Sequence, residues 1–334
     1  MQPTTSRTHP VITCDGTGVV SHAGTVLLAE LADRIGLTAA LSEATDGLRE
    51  RRAGHDPGRV LVDVAVAIAD GAVTISDVQA LADQQGLHGP AGSVASTSTI
   101  WRVLDAVANT PGLLAAIRQA RAQARDRAWL ARGELTGVEL AGSRAAGTMI
   151  AQVVIDLDAT LVTAHSDKEG TKGNFKGDFG YHPLGAWLDN TNEALAAVLR
   201  PGNAGSNTAA DHLTVVEQAL SQLPDRWRDK PILVRADGAG YSHALISALS
   251  QQGLEFSVGY PVTDAVRHAI TTMPAWGVAG GLQRRWGPAR ARRRRGGHRP
   301  ARPQQVDHRL PGHARDRAPR TAAPRRHAGR LRDP

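Results

Sequence analysis

Val153-Val154-Ile155-Asp156-Leu157-Asp158-Ala159-Thr160 is an apolar, β-branched run that climbs straight into two carboxylates. Val and Ile stiffen χ1 and suit a pleated surface, so the run reads as a buried strand. Side chains two apart in a strand share a face, which puts Asp156 and Asp158 side by side. Carboxylates at the end of a core strand are costly unless something positive sits there, and a hard divalent cation is a common partner for carboxylate oxygen. The plain alternative is a strand end that turns into solvent with ordinary acids. A second run of the same kind, Ile232-Leu233-Val234-Arg235-Ala236-Asp237, weighs against that alternative.

Outward from this stretch, the pattern predicts a second half starting near Thr148. Strands are expected over 151–158 and 161–165, joined as a tight antiparallel hairpin or running on as a bent continuation. A Gly- and Lys-rich loop over 166–180 carries Lys168, Lys172 and Lys176. A third strand is expected over 183–188, with residues 194–199 extending the sheet. Thr208 opens a helix whose apolar face is Leu213, Val216, Leu220 and Leu223. Residues 232–237 form the fourth strand, 241–251 a helix and 254–258 the fifth strand. Three strands, a helix, a strand, a helix and a strand is the order of a ribonuclease-H-like mixed sheet. In that sheet the first strand is central and the fourth lies beside it, so Asp158 and Asp237 should meet at neighbouring strand ends.

The N-terminal part, residues 1–135, reads as mainly helical. Asp15-Gly16-Thr17 is a turn. Leu28, Leu31 and Ile35 share a helical face that Gly36 closes. Residues 60–69 form a buried helix, Ser76 and Gln79 suggest a capping box, and Ser96 or Thr97 caps a helix carrying Ile100, Val103, Leu104 and Val107. The pair ending in Ser98-Thr99-Ile100-Trp101-Arg102 suggests a helix-turn-helix-like unit with Arg102 toward DNA, although its connector is longer than the standard tight turn. A plain helical bundle fits equally well. One more helix is expected over 112–132, broken by Gly133.

The net charge of +7 hides a division. Residues 276–334 hold 17 of the 39 basic residues, all Arg, with three Asp and no Glu or Lys. Residues 1–275 hold 22 basic and 29 acidic residues and are net negative. The tail has neither helix nor strand periodicity, and its Arg, Pro and Gly predict a disordered segment. No apolar run is long enough to span a membrane, so a cytoplasmic protein is the expectation. Cys14, the single cysteine, leaves no intrachain disulfide and no cysteine zinc site.

Two carboxylates on adjacent strands can hold two Mg²⁺ (or Mn²⁺) ions for an in-line phosphoryl displacement. Ser242 and His243 are neighbours in sequence, poor geometry for a nucleophile and its base. His165 and His182 read first as structural. Lys168, Lys172, Lys176 and Arg200 lie on loops next to the carboxylates and would contact a nucleic-acid backbone, which positions without reading sequence.

Asp156-Leu157-Asp158-Ala159-Thr160, Phe179-Gly180-Tyr181-His182-Pro183-Leu184, Leu199-Arg200-Pro201-Gly202-Asn203-Ala204-Gly205-Ser206 and Val234-Arg235-Ala236-Asp237-Gly238 together resemble the insertion-sequence DDE transposases. The nearest likeness is the thirteen-eighty family as found in actinobacteria, over residues 10–275. The four blocks in this order are specific where Asp-x-Asp-x-Thr alone is not. The resemblance implies cleavage and transfer of double-stranded DNA at the element's terminal inverted repeats by a homodimer, with a two-metal site of Asp, Asp and Glu. The first Asp falls on Asp158, with Asp156 the second choice, and the second on Asp237. The third acid, expected on a helix well after the fifth strand, is unknown because no Glu follows residue 276. A GC-rich gene read out of frame has this tail composition; a genuine basic tail for DNA is the alternative. The resemblance thus divides the chain into 1–135 helical, 148–275 an incomplete transposase core and 276–334 tail, with activity impaired.

Two rivals remain. A non-catalytic DNA-binding transposase remnant would differ only through the missing Glu. A haloacid-dehalogenase-like phosphatase would use Asp156 as nucleophile and Asp158 as acid/base, but needs a later acidic pair where Ala236-Asp237-Gly238-Ala239-Gly240 offers one acid.

Overall fold

The computed structural model describes residues 22–49, 54–90, 92–145, 148–164, 167–205 and 208–273. The readings on Cys14, Asp15-Gly16-Thr17, His165 and the 276–334 tail lie outside them.

Five strands form the main sheet: β1 (Val153–Ala159), β2 (Leu184–Leu188), β3 (Glu193–Val198), β4 (Ile232–Ala236) and β5 (Glu255–Val258). Their spatial order is β5-β4-β1-β2-β3. β4 runs parallel to β1 and β5 parallel to β4, while β2 is antiparallel to β1 and to β3. The central strand and the order are those expected of a ribonuclease-H-like sheet, but the assignment of the second strand is corrected. The short strand that follows β1 does not hairpin back onto it. Val162–Thr163 pairs with Phe179–Tyr181, which also pairs with Lys172–Gly173, making a separate three-stranded flap. Leu184–Leu188 returns along β1 instead, and Ala194 lies on a full third strand.

Alternation explains the core. Val153, Ile155 and Leu157 of β1 join Leu184, Ala186 and Leu188 of β2, Leu195 of β3 and Ile232 and Val234 of β4 in one buried cluster. Two helices complete that cluster: α6 (Ala209–Leu220) through Val215, Val216 and Ala219, and α7 (His243–Gln251) through Leu245 and Leu249. Ser242 caps α7, its hydroxyl accepting from Leu245 N. Asn190, in the turn after β2, is buried. It accepts from Val154 N and donates to the Ala141 and Gln152 carbonyls, so the turn after β2 is tied to the start of β1.

The helical part builds its own core. It holds α1 (Thr25–Arg34), α2 (Leu37–Ala44), α3 (Pro57–Ala69), α4 (Thr97–Asn109) and α5 (Leu113–Thr136), with Val60, Val62, Val66, Leu81, Ile100 and Ala120 at its centre. Asp56 caps α3 by accepting from Gly58 and Arg59 N. The capping box lies at Thr74 and Asp77 rather than at Ser76 and Gln79. Ser96 caps α4. Gly133 does not break α5, which continues to Thr136 and ends at Gly137 in the left-handed region. No described helix is long and apolar enough to cross a membrane. A short helix, Asp264–Thr272, follows β5 and buries none of its side chains.

α5 joins the two cores. Its Trp129 belongs to the sheet cluster and stands edge-on to Trp227, ring centroids 6.3 Å apart. Glu193 at the start of β3 accepts from Trp129 Nε1 at 2.9 Å and from Arg125 Nε at 2.7 Å. Arg125 also donates to the Gln222 side chain, whose amide reaches back to the Arg118 carbonyl. Burial pushes the Glu193 carboxyl up, but the hydrogen bonds from Trp129 and Arg125 outweigh it and hold it below the usual glutamate value. Glu193→Ala strands a buried guanidinium and is expected to lower stability by about 2–3 kcal/mol in urea melts, between the costs of exposed and buried pairs. Because the folded value is lowered, the advantage of the parent over the variant is full above about pH 4.3 and shrinks as pH falls through the folded value. A gap that persists at lower pH would contradict this assignment.

Candidate active site at the ends of β1 and β4

The parallel ladder sets the site. Its last paired rung is Leu157 with Ala236, and the rung before it is Asp156 with Arg235. Asp158 and Asp237 each follow that last rung by one residue, on strands about 4.8 Å apart. The pleat turns Leu157 and Ala236 toward the helices and sends Asp156, Arg235 and Asp158 to the opposite face, and Asp237 follows the end of β4 by one residue. Both Asp158 and Asp237 are exposed. Asp158 accepts from Ala159 N, and Asp237 from Gly240 N.

Glycines keep this end tight. Gly259 N donates to the Ala236 carbonyl, and a Cβ at Gly259 would collide with the Gly238 and Asp237 backbone. On the other flank Asp158 sits opposite Gly185 of β2. The Trp187 indole lies over Gly185, where a Cβ would meet the ring, so an apolar wall stands beside Asp158.

Asp156 has a different role from the one expected. Arg235 grips it with two hydrogen bonds, Nε to Oδ1 at 2.5 Å and Nη2 to Oδ2 at 2.6 Å. The same guanidinium reaches Asp189 at 3.1 Å and the Arg144 carbonyl at 3.1 Å. The hydrogen bond donated to Asp156, helped by the charges of Asp156 and Asp189, raises the Arg235 pKa against the effect of burial. A carboxylate held in both oxygens by a fork is a poor metal ligand or nucleophile. The sequence showed Arg235 two residues before Asp237 on an apolar strand, and that alternation was the available signal for its partner on β1.

Arg200 is also corrected. It is 3 % exposed, with Nε on the His182 carbonyl and Nη1 on the Gly205 carbonyl and Asp211, so it braces the 200–205 loop from inside and offers nothing to DNA. His182 is buried, its Nδ1 against the Ala204 carbonyl. Lys168, Lys172 and Lys176 are exposed on the flap that begins two residues beyond Asp158. Arg102 is exposed on α4 beside exposed Trp101, bonded to Ser98 and Thr99 of its own helix.

Among the described residues, no group of three or more His, Cys, Asp or Glu side chains is placed to hold a metal. Asp211 is paired with Arg200. Glu255 bonds Gln152 at the opposite end of the sheet, on the rung of Leu233. The phosphatase reading fails on two counts: antiparallel β2 and β3 interrupt an alternating βα order, and Arg235 occupies Asp156.

Residues 2–286 match the family model described as Transposase DDE domain group 1. The chain belongs to that family of DDE transposases. Among solved structures it is similar to a piggyBac transposase synaptic complex with hairpin DNA, at 10 % identity and TM-score 0.34, covering 75 % of this chain and 54 % of that one. It is also similar to a Mos1 transposase paired-end complex with left transposon end, at 12 % identity and TM-score 0.22, covering 62 % and 60 %. The chain thus spans less than two thirds of either protein. No curated protein sequence matches it.

The different roles of Asp156 and Asp158 are separable. Asp156→Ala should lower stability by about 1–3 kcal/mol, the cost of removing the two-oxygen acceptor of Arg235 and leaving it only Asp189 as a charged partner. Asp158→Ala should leave stability within about 0.5 kcal/mol of the parent. Urea midpoints of the two variants check this, and equal losses would contradict it.

Proposed function

We propose that this chain is an insertion-sequence transposase of the thirteen-eighty type that binds double-stranded DNA at the terminal inverted repeats of its element, with Asp158 and Asp237 as its catalytic pair. The observation that supports the reading is the rung Leu157–Ala236, after which each strand continues by one residue into an acid at the same end of the sheet. The donor set suits a hard cation: two adjacent carboxylates, with the nearby Arg235 guanidinium already taken up by Asp156 and Asp189. Mg²⁺ or Mn²⁺ bound there would polarise a phosphate oxygen and favour in-line attack. Asp158 and Asp237 hold the cation, the Trp187 wall limits water on one side, and the flap lysines meet the DNA backbone. The helical part, with Arg102 exposed on α4, supplies a second DNA contact, and a homodimer brings the two element ends together.

Strand cleavage by this chain is weak. Two acids hold one cation loosely and give a second no ligand set, so charge developing in the displacement is poorly stabilised. The absence of Glu and Lys after residue 276 supports an out-of-frame segment where the third acid belongs. Clustered Arg in that segment adds salt-sensitive, sequence-independent DNA affinity. A remnant that binds ends without cutting them is the limiting case of this reading.

The test is a fragment carrying the terminal repeats, incubated with this chain and Mn²⁺, with Asp237→Ala as control. Binding that weakens steeply with salt is expected, with cleavage suppressed by roughly a hundredfold or more relative to a site with a full set of charge-stabilising groups. Efficient cleavage that Asp237→Ala abolishes would overturn the impairment. Failure to bind the fragment at low salt would overturn the transposase assignment.

A further inference from the structure

The flap between β1 and β2 has a composition unlike the rest of the chain. Three of the four lysines in the whole sequence, Lys168, Lys172 and Lys176, lie on it, and so do two of the three phenylalanines, Phe175 and Phe179. Elsewhere the basic residue is almost always Arg. The flap does not use its aromatics for a core. Phe175 is 77 % exposed and Phe179 40 %. Large aromatic surface left in water opposes folding, so its retention at a tip needs a reason outside folding.

The tip is rigid enough to present the ring. Asn174 N donates to the Asp178 carbonyl at 2.7 Å, and the Asn174 side-chain oxygen accepts from Lys176 N and Asp178 N. Gly177 closes the turn with φ of +89°, a conformation that an L side chain would strain. Phe175 and Lys176 are the two residues at the crest. The Lys176 ammonium lies 5.8 Å from the Phe175 ring centroid, and that ring stands 6.1 Å from the His182 ring. The base of the flap is fixed as well. Gly202 N donates to the Gly180 carbonyl, and a Cβ on Gly202 would run into the Lys172 and Gly180 carbonyls. The Tyr181 hydroxyl donates to the Glu169 carbonyl. The crest, residues 171–177, has two lysines and no acid, while Asp167, Glu169 and Asp178 lie at its flanks.

We propose that the crest of this flap is a stacking platform for an unpaired base of the DNA end bound at Asp158 and Asp237, with Phe175 against the base and Lys172 and Lys176 on the adjoining phosphates. The inference rests on the DNA reading above and specifies the form of DNA the site takes: a duplex whose end is frayed or carries a single-stranded extension. An exposed ring flanked by ammonium groups is the chemistry that binds unpaired nucleotides, since every base has a π-face and every linkage a negative charge. The flap emerges two residues past Asp158, and Thr160 N donates to the Pro183 carbonyl to close its neck. A base held at the crest therefore belongs to the strand lying across the carboxylates.

The experiment compares the full chain on two labelled probes, a blunt terminal-repeat duplex and the same duplex with a single-stranded overhang containing 2-aminopurine. The parent chain should bind the overhang probe about five- to a hundredfold more tightly, the range of one stacked base, and quench the 2-aminopurine. Phe175→Ala should lose both the preference and the quenching while keeping blunt-duplex affinity within about twofold, since the ring carries no phosphate contact. Phe175→Trp should restore both. Lys172→Ala with Lys176→Ala should weaken both probes and flatten the salt dependence. Equal binding of the two probes by the parent chain, or a preference that survives Phe175→Ala, would overturn the platform and leave the transposase reading standing. Failure of the parent chain to bind either probe would overturn both.

Discussion

The parallel ladder between β1 and β4 is the constraint on which the chemistry of this molecule depends. A parallel pair cannot be closed by a short turn, so the chain runs through β2, β3 and α6 before β4 can lie beside β1. The carboxyl ends of both strands then point the same way, and acids placed at those ends meet. Register is as important as direction. A slip of one residue would turn Arg235 into the apolar layer of Ile155, Val216 and Leu245 and separate Asp158 from Asp237. The two-pronged bond between Arg235 and Asp156 forms only in the observed register, so it acts as a register lock one rung below the site.

That lock also shapes the charge. Arg235 is shared between Asp156 and Asp189, one rung below the strand ends that carry Asp158 and Asp237. Glycines at 185, 238 and 259 leave the rim narrow and free of side-chain bulk. The buried Arg125–Glu193–Trp129 contact, by contrast, is architecture: it fixes α5 against β3 and so holds the helical cluster to the sheet.

Much of this was legible in the sequence, and the reasons are physical. Val- and Ile-rich runs ending in Asp have the composition of core strands, so β1, β4 and their adjacency followed from pattern and order. The partner of the second strand was hidden because Val162-Thr163 has strand composition and does form strand, but in the flap; local propensity says nothing about which sheet receives it. The roles of Asp156 and Arg200 were hidden for a different reason. Their partners lie 79 and 11 residues away, and a charged residue on a loop looks solvated until the fold brings its counter-ion. Gly133 looked like a helix breaker, yet one glycine costs only about 1 kcal/mol, less than a packed 24-residue helix supplies.

The central claim is that Asp158 and Asp237 share one cation. The most direct measurement is an anomalous difference map from crystals of the chain soaked in Mn²⁺. The account predicts a peak within about 2.5 Å of a carboxylate oxygen of each residue, with Asp156 still bonded to Arg235 and outside the coordination shell. A peak on Asp156, or Asp158 and Asp237 carboxyl groups more than roughly 10 Å apart with no peak between them, would contradict it.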